Sequence, residues 1–384
     1  MIDVNNVRIL IIDDLDSMRR ALYGLLKVMN LGKHCSFASN GLEALKILRK
    51  GGIDLVLTDL NMPVMDGVEL LASIREDLDL RDTPVIIISG EARREVVAQA
   101  AESDLNAYIV KPITAQTLSD KITKLLDAVN HPSPMVEHLR RARAHDEAGK
   151  TDLAIRETRM AVAANPDSSR PIRELGYLLY KQDDLKEAKR YLLQAVNKNE
   201  LDVFAFHYLG EIYTKLENYD TAALFYEKAM AISPRNAVRN INLGQVMLYR
   251  GEPEQAKTFF NNALNLTDQP LSCKQELADI CIKHDYWDYA VPLLKDLIKE
   301  KPADSDLNFK LGKAYEALGQ HHEAVKCLTG VGEASGDSPE LKLHIARNYL
   351  ALGWPMHAER VLRALLEAEP GNLEAAELLT SCKE

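Results

Sequence analysis

The sequence predicts a chain in two parts: an α/β doubly wound domain with a five-stranded parallel sheet, then an all-α solenoid. Three observations predict it. Over the first third of the 384 residues, apolar runs alternate with helical patterns. Two prolines then fall within three residues in "NHPSPM" (130–135), which stops the preceding helix and makes a short, stiff linker. Beyond it, alanine returns at a fixed step of 34 residues. The expected boundaries are 1–129 for the α/β domain, 130–134 for the linker, 135–372 for seven repeat units and 373–384 ("LEAAELLTSCKE") for a capping helix.

The first part is justified run by run. "VRILIIDD" (7–14) is continuously apolar and ends in two aspartates. "DLVLTD" (54–59) and "TPVIIIS" (83–89) share that design, and "AYIV" (107–110) ends at Lys111-Pro112. Helical patterns occupy 16–29, 42–50, 68–75, 93–102 and 117–129. Strands that are apolar throughout belong to a parallel sheet covered on both faces. In such a sheet the ligand site lies beyond the carboxyl ends of the strands. Asp13, Asp14, Asp59, Ser89 and Lys111 all end strands, so they are expected to converge there.

An aspartate at one strand end is often only a helix N-cap. Five polar groups at the same ends of alternating strands are hard to explain that way. Three crowded carboxylates repel one another and need a cation to stay ionised. Mg²⁺ suits such a site, because it binds through few carboxylates and keeps waters. A lysine and a hydroxyl beside it can clamp a phosphoryl group, and a carboxylate can accept one.

These residues resemble the receiver domain of two-component response regulators, a flavodoxin-like fold. The resemblance covers 5–128 and rests on "IIDD", "TDLNMPVMDG", "ISGEA" and "AYIVKPITAQTL", with "DSMRR" (16–20) closest to single-domain chemotaxis regulators. It implies that Asp59 is the phosphoryl acceptor. It also implies that Asp14, Asp59 and the main-chain carbonyl of Asn61 ligate Mg²⁺, with Asp13 acting through water. Ser89 and Lys111 would bind the phosphoryl oxygens, and Tyr108 would swing inward on activation. Asn61 and Glu91 would tune the lifetime of the phosphoryl group. Asp104 and Leu105 depart from the Gly-Ala usual before the fifth strand, on the signalling side rather than at the chemistry.

In the second part alanine recurs at 154, 188, 222, 256, 290, 324 and 358. Small residues recur at 142, 176, 210, 244, 278, 312 and 346, mostly preceded by leucine. Small residues on two facing helices let them approach closely, and the leucines fill the space beside them. Gly149, Gly251, Gly319 and Gly353 share the position between the two helices of a unit. Pro253 and Pro355 share the start of the second helix, where a missing N–H costs nothing. The period and the helix-turn-helix unit are similar to the tetratricopeptide repeat.

Three local irregularities are expected. The first unit carries Arg141 at its leucine position. Pro292 falls inside a second helix, as a kink. The sixth unit degrades into "GVGEASGDSP" (330–339), so its second helix should be short; His321-His322 reads as a surface turn.

Such a solenoid has a concave face lined by first helices. The repeat register places Arg170, Arg173, Tyr177, Tyr180, Lys181, Phe204, His207 and Lys215 there, followed by Ile241, Leu248 and Tyr249. This is a basic, aromatic stretch in an acidic chain.

Composition narrows the function. A formal charge of −10 disfavours nucleic acid as the main partner. Five cysteines without a CxxC pair, apolar runs too short for a bilayer and no signal-peptide pattern point to a cytoplasmic protein. No HExxH, Walker-type or GGDEF-like motif marks an enzymatic output beyond self-catalysed phosphoryl transfer and hydrolysis. The expected function is a response regulator: a histidine kinase or small phosphodonor loads Asp59, and the repeats bind a protein or peptide under that control. Oligomers are compatible with this. The alternatives are an RNA-binding regulator, or a phosphatase or phosphate sink for another regulator.

Overall fold

The computed structural model describes residues 6–31, 33–90, 106–267, 269–335 and 338–382. Its first elements are β1 (Arg8–Ile12), α1 (Asp16–Val28), β2 (His34–Ala38), α2 (Gly41–Leu48), β3 (Leu55–Asp59), α3 (Gly67–Glu76), β4 (Val85–Ser89), β5 (Asn106–Val110) and α4 (Ala115–Asn130). The helix expected at 93–102, together with Glu91, Asp104 and Leu105, lies outside the described residues.

All five strands are parallel, in the order β2-β1-β3-β4-β5. Alternation along the strands builds two cores. Leu10, Ile12, Val56 and Ile87 face α2 and α3, while Ile9, Ile11, Leu57 and Ile88 face α1 and α4. This two-sided burial is why the strands carry no polar alternation. The chain order reverses between β1 and β3, so the crevice at a doubly wound sheet's switch point falls between Asp13 and Asp59.

Helix pairs follow: α5 (Pro134–Glu147), α6 (Thr151–Ala164), α7 (Ser169–Lys181), α8 (Leu185–Lys198), α9 (Val203–Lys215), α10 (Tyr219–Ile232), α11 (Ala237–Tyr249), α12 (Pro253–Leu266), α13 (Pro270–Lys283), α14 (Trp287–Glu300), α15 (Ser305–Ala317), α16 (His321–Ser335), α17 (Pro339–Ala351), α18 (Pro355–Ala368) and α19 (Leu373–Ser381). The repeat physics is visible in space. A Cβ on Gly176 would lie 2.7 Å from the Leu192 side chain, and one on Gly210 would lie 2.8 Å from the Tyr226 ring. Gly244 and Gly312 stand against Phe260 and Leu328 at 2.4 and 2.5 Å. Each glycine therefore admits a large residue sixteen positions later.

Two local expectations are corrected, at the sixth unit and at His321-His322. The second helix of the sixth unit is not short, for α16 runs fifteen residues from His321 to Ser335. Glycine weakens a helix by only about 1 kcal/mol, and burial of Ala324, Leu328 and Val331 outweighs that. His321-His322 opens α16 rather than forming a turn, and His321 bonds the buried Asn348 at 2.8 Å. Pro292 lies exposed inside α14, and helical assignment continues through it to Glu300.

The chain divides into two compact units, Met1–Asn242 and Leu243–Glu384. The first holds the parallel sheet together with the first repeats.

Candidate functional site

The site is built where β1, β3, β4 and β5 end. Asp13 and Asp59 are buried, at 2% and 7% exposure, and Ser89 is buried beside them at the end of β4. Asp14 follows Asp13 but is exposed. Lys111 bridges the two buried carboxylates, with Nζ 2.6 Å from Asp59 Oδ1 and 3.5 Å from Asp13 Oδ2. Its backbone is fixed by Lys111 N donating to the Ser89 carbonyl at 2.7 Å, ahead of a cis Lys111-Pro112 bond. The other Asp59 oxygen accepts from Asn61 N at 2.9 Å. Tyr108 is half-buried on β5, against the α2/α3 core.

Burial pushes the Asp13 carboxyl upward, and the charges of Asp59 and Asp14 push the same way against Leu15 N–H and Lys111. For Lys111, burial alone would lower the ammonium, but the hydrogen bond and charge of Asp59 hold it above its ordinary range.

Among the described residues, no three His, Cys, Asp or Glu side chains gather closely enough to cage a metal ion. The donor set nonetheless fits Mg²⁺, which needs only one or two carboxylates and keeps waters. Two buried, mutually repelling carboxylates and an exposed third provide that. Asp59 keeps a small exposed area and stands beside a cation, an arrangement compatible with phosphoryl transfer to its oxygen.

The end of β3 also carries α3. Asp66 caps this helix through Val68 N and Glu69 N, both at 2.8 Å, in a reciprocal capping box with Glu69. Gly67 N donates to the Leu60 carbonyl at 2.9 Å, and a Cβ on Gly67 would sit 2.4 Å from the Asp59 carbonyl oxygen. Glycine is required there for backbone to pass over backbone.

The basic, aromatic residues assigned to the repeat groove are found mostly in internal pairs. Lys181 Nζ meets Asp146 at 2.6 Å, and Lys215 Nζ meets Asp183 at 3.0 Å. Arg173 contacts Glu174 at 2.9 Å and the buried Asp202 at 3.5 Å, and lies over the Phe204 ring. Tyr177 and Tyr180 flank Tyr208 at 4.9 and 5.7 Å. His207 reaches Glu211 at 3.4 Å. In the second unit, Tyr249 packs edge-on against His284 at 4.3 Å.

Arg170 has a different partner, Asp82 of the α3–β4 loop, at 3.3 Å. It belongs to a set that the sequence did not single out. Arg143 also binds Asp82, and Arg239 Nη2 and Asn236 Nδ2 take the two oxygens of Glu76 at 2.8 and 2.9 Å. Arg235 donates to the Val64 carbonyl and lies 3.7 Å from Glu69. The available signal was weak: Arg239 stands between Val238 and Asn240, and nothing in the repeat period requires a buried arginine there, yet it is 2% exposed.

Known proteins share both halves. A family model described as response regulator receiver domain matches residues 9–123. Two described as tetratricopeptide repeat match 203–236 and 305–331. Chemotaxis protein CheY-3 of Vibrio cholerae serotype O1 is 45% identical over 122 residues, 32% of this chain and 93% of that protein. Chemotaxis protein CheY of Pseudomonas aeruginosa is 40% identical over 124 residues, 32% of this chain and 99% of that protein. A solved tetratricopeptide repeat protein from Parabacteroides merdae covers 65% of this chain and 99% of its own at 17% identity, with a TM-score of 0.44. With these chemotaxis relatives covered almost end to end and both family models matched, the chain belongs to the response regulator receiver family, carrying tetratricopeptide repeats after its receiver domain.

Proposed function

We propose that this protein is a phosphorylation-controlled regulator whose output is protein binding by its repeats. The observation that carries the reading is the Asp59–Lys111–Asp13 cluster beside Ser89, at the carboxyl ends of a doubly wound sheet. A histidine kinase or small phosphodonor loads Asp59. Asp13, Asp14, Asp59 and the Asn61 carbonyl hold Mg²⁺, which supplies charge neutralisation for the transferring group. Lys111 moves from carboxylate to phosphoryl oxygen, and Ser89 donates to another. Tyr108 follows Ser89 inward. Asn61 flanks the path of the hydrolytic water, and Glu91 is assigned the matching role. The receiver is 1–129, the linker 130–134, the repeats 135–372 and the cap 373–384. The partner is a protein or peptide held on the first-helix face.

The test is phosphoryl uptake from acetyl phosphate. The full chain should be labelled only with Mg²⁺ present, and Asp59→Asn should lose all labelling. Stable labelling of the Asp59→Asn protein overturns the assignment.

A further inference from the structure

The outward face of α3 sits on the repeats. Glu69, Glu76 and Asp82 present three carboxylates from α3 and its following loop. They meet Arg235, Arg239, Arg143 and Arg170, which come from four successive repeat units. Between them Ala72 is 3% exposed and joins the apolar cluster of Ile172, Leu175 and Val203. The receiver thus lies across part of the face that a partner would need. Arg170 lines both.

This contact is built to separate. An obligate interface resembles a core cut in half. Here Ala72 is the one receiver residue in that apolar cluster among the described residues, and the other contacts named are ion pairs and hydrogen bonds. The seam leaves a cavity of about 140 Å³. Arg75, Arg81, Arg143, Arg170 and Arg173 line it, against Glu174 and Asp202. Burial is the main force that pushes the Arg75 guanidinium down, to about 9, with repulsion from Arg170 second and the charge of Asp82 opposing. Asp82 stays below the usual carboxylate range: burial opposes this, but Arg143 and Arg170 outweigh it.

We propose that α3 and its loop are a resident ligand of the repeats, and that the partner for this end of the groove is an acidic helical segment competing for the same arginines. The inference rests on reading the repeats as a protein-binding output. It also names the output surface. That surface is α3, which is mounted on the Asp59 backbone through Gly67. Receiver and partner exclude one another. A closed fraction of 90–99% weakens apparent partner affinity about 10- to 100-fold.

The experiment uses the full chain and a fluorescein-labelled peptide of residues 66–83 as the acidic probe, read by anisotropy at low salt. Glu76→Arg/Asp82→Arg should capture the peptide at least about tenfold more tightly than wild type. Adding Arg143→Glu and Arg170→Glu should remove capture. Asp82→Asn serves as a milder opening variant, and helical circular dichroism confirms folding of each. Equal capture by wild type and a folded opened variant overturns the proposal. So does absence of capture by both, or capture that survives loss of the arginines. Acetyl phosphate labelling of the same opened variants reads Asp59 separately. Failure of labelling sinks the phosphoryl-acceptor reading, whereas failure of capture with normal labelling sinks only the competition.

Discussion

Glu217 shows where single residues are and are not legible. The seven positions 149, 183, 217, 251, 285, 319 and 353 all take φ between 55° and 75°. Four are glycine and stood out in the sequence as one repeat position. Asp183, Glu217 and Asp285 adopt the same left-handed turn with a Cβ in place. Sequence hides them because the constraint is on the backbone, while local composition there reads only as polar. Aspartate tolerates this region through its short side chain, and Asp183 also holds Lys215. Glutamate has a longer side chain that does not favour this region, and its left-handed conformation costs roughly 1–2 kcal/mol. Glu217→Gly should therefore stabilise the protein by about 1 kcal/mol, partly offset by glycine's unfolded-state entropy. Urea denaturation checks this, and a lower midpoint would contradict it. The chemistry-bearing residues were legible for the opposite reason. Asp13, Asp59, Ser89 and Lys111 end strands, and parallel topology brings strand ends together whatever lies between.

At the scale of elements, periodicity revealed what apolar burial dictates. β1, β3 and β4 are oily runs because both sheet faces are covered. β2 (His34–Ala38) is an edge strand with half-exposed residues and has no such run. α16 shows the reverse error, where glycines suggested a break that core packing overrides. The dependence of α3 on the Asp59 backbone was also invisible, since it rests on one backbone crossing. Gly67→Ala would drive a Cβ against the Asp59 carbonyl at 2.4 Å and Leu60 Cα at 3.1 Å, both backbone atoms that cannot swing aside. It should destabilise the receiver by about 1–3 kcal/mol and slow phosphoryl uptake together. Gly24→Ala is the control. It sits within α1 with open space around its position and should stabilise by about 0.5–1 kcal/mol. Denaturation midpoints and initial labelling rates separate the two; a neutral Gly67→Ala would show that α3 is not seated on the acceptor.

At the scale of the molecule, the receiver cores and the repeat cores are apolar, while the seam joining them in the first unit is ionic. The repeat period predicts that a face exists, but no sequence pattern says that Glu76 of α3 meets Arg239, 163 positions on. Salt acts differently on the two kinds of contact. Raising ionic strength from 0.1 M to 1 M shortens the Debye length from about 10 Å to about 3 Å. Half-buried pairs such as Asp82 with Arg143 weaken, whereas apolar burial does not. Arg239 is nearly sealed from solvent and should hold longest, so release should begin at Asp82 and spread to Glu76. Hydrogen exchange of the full chain at both salt concentrations tests the order. Amides near 80–83 and 139–146 should speed up first and those at 72–76 and 236–240 later, with the interiors of β1, β3 and the repeat helices unchanged. Loss of protection everywhere at once would mean that salt unfolds the unit, and no change at the seam would mean that apolar contact holds it.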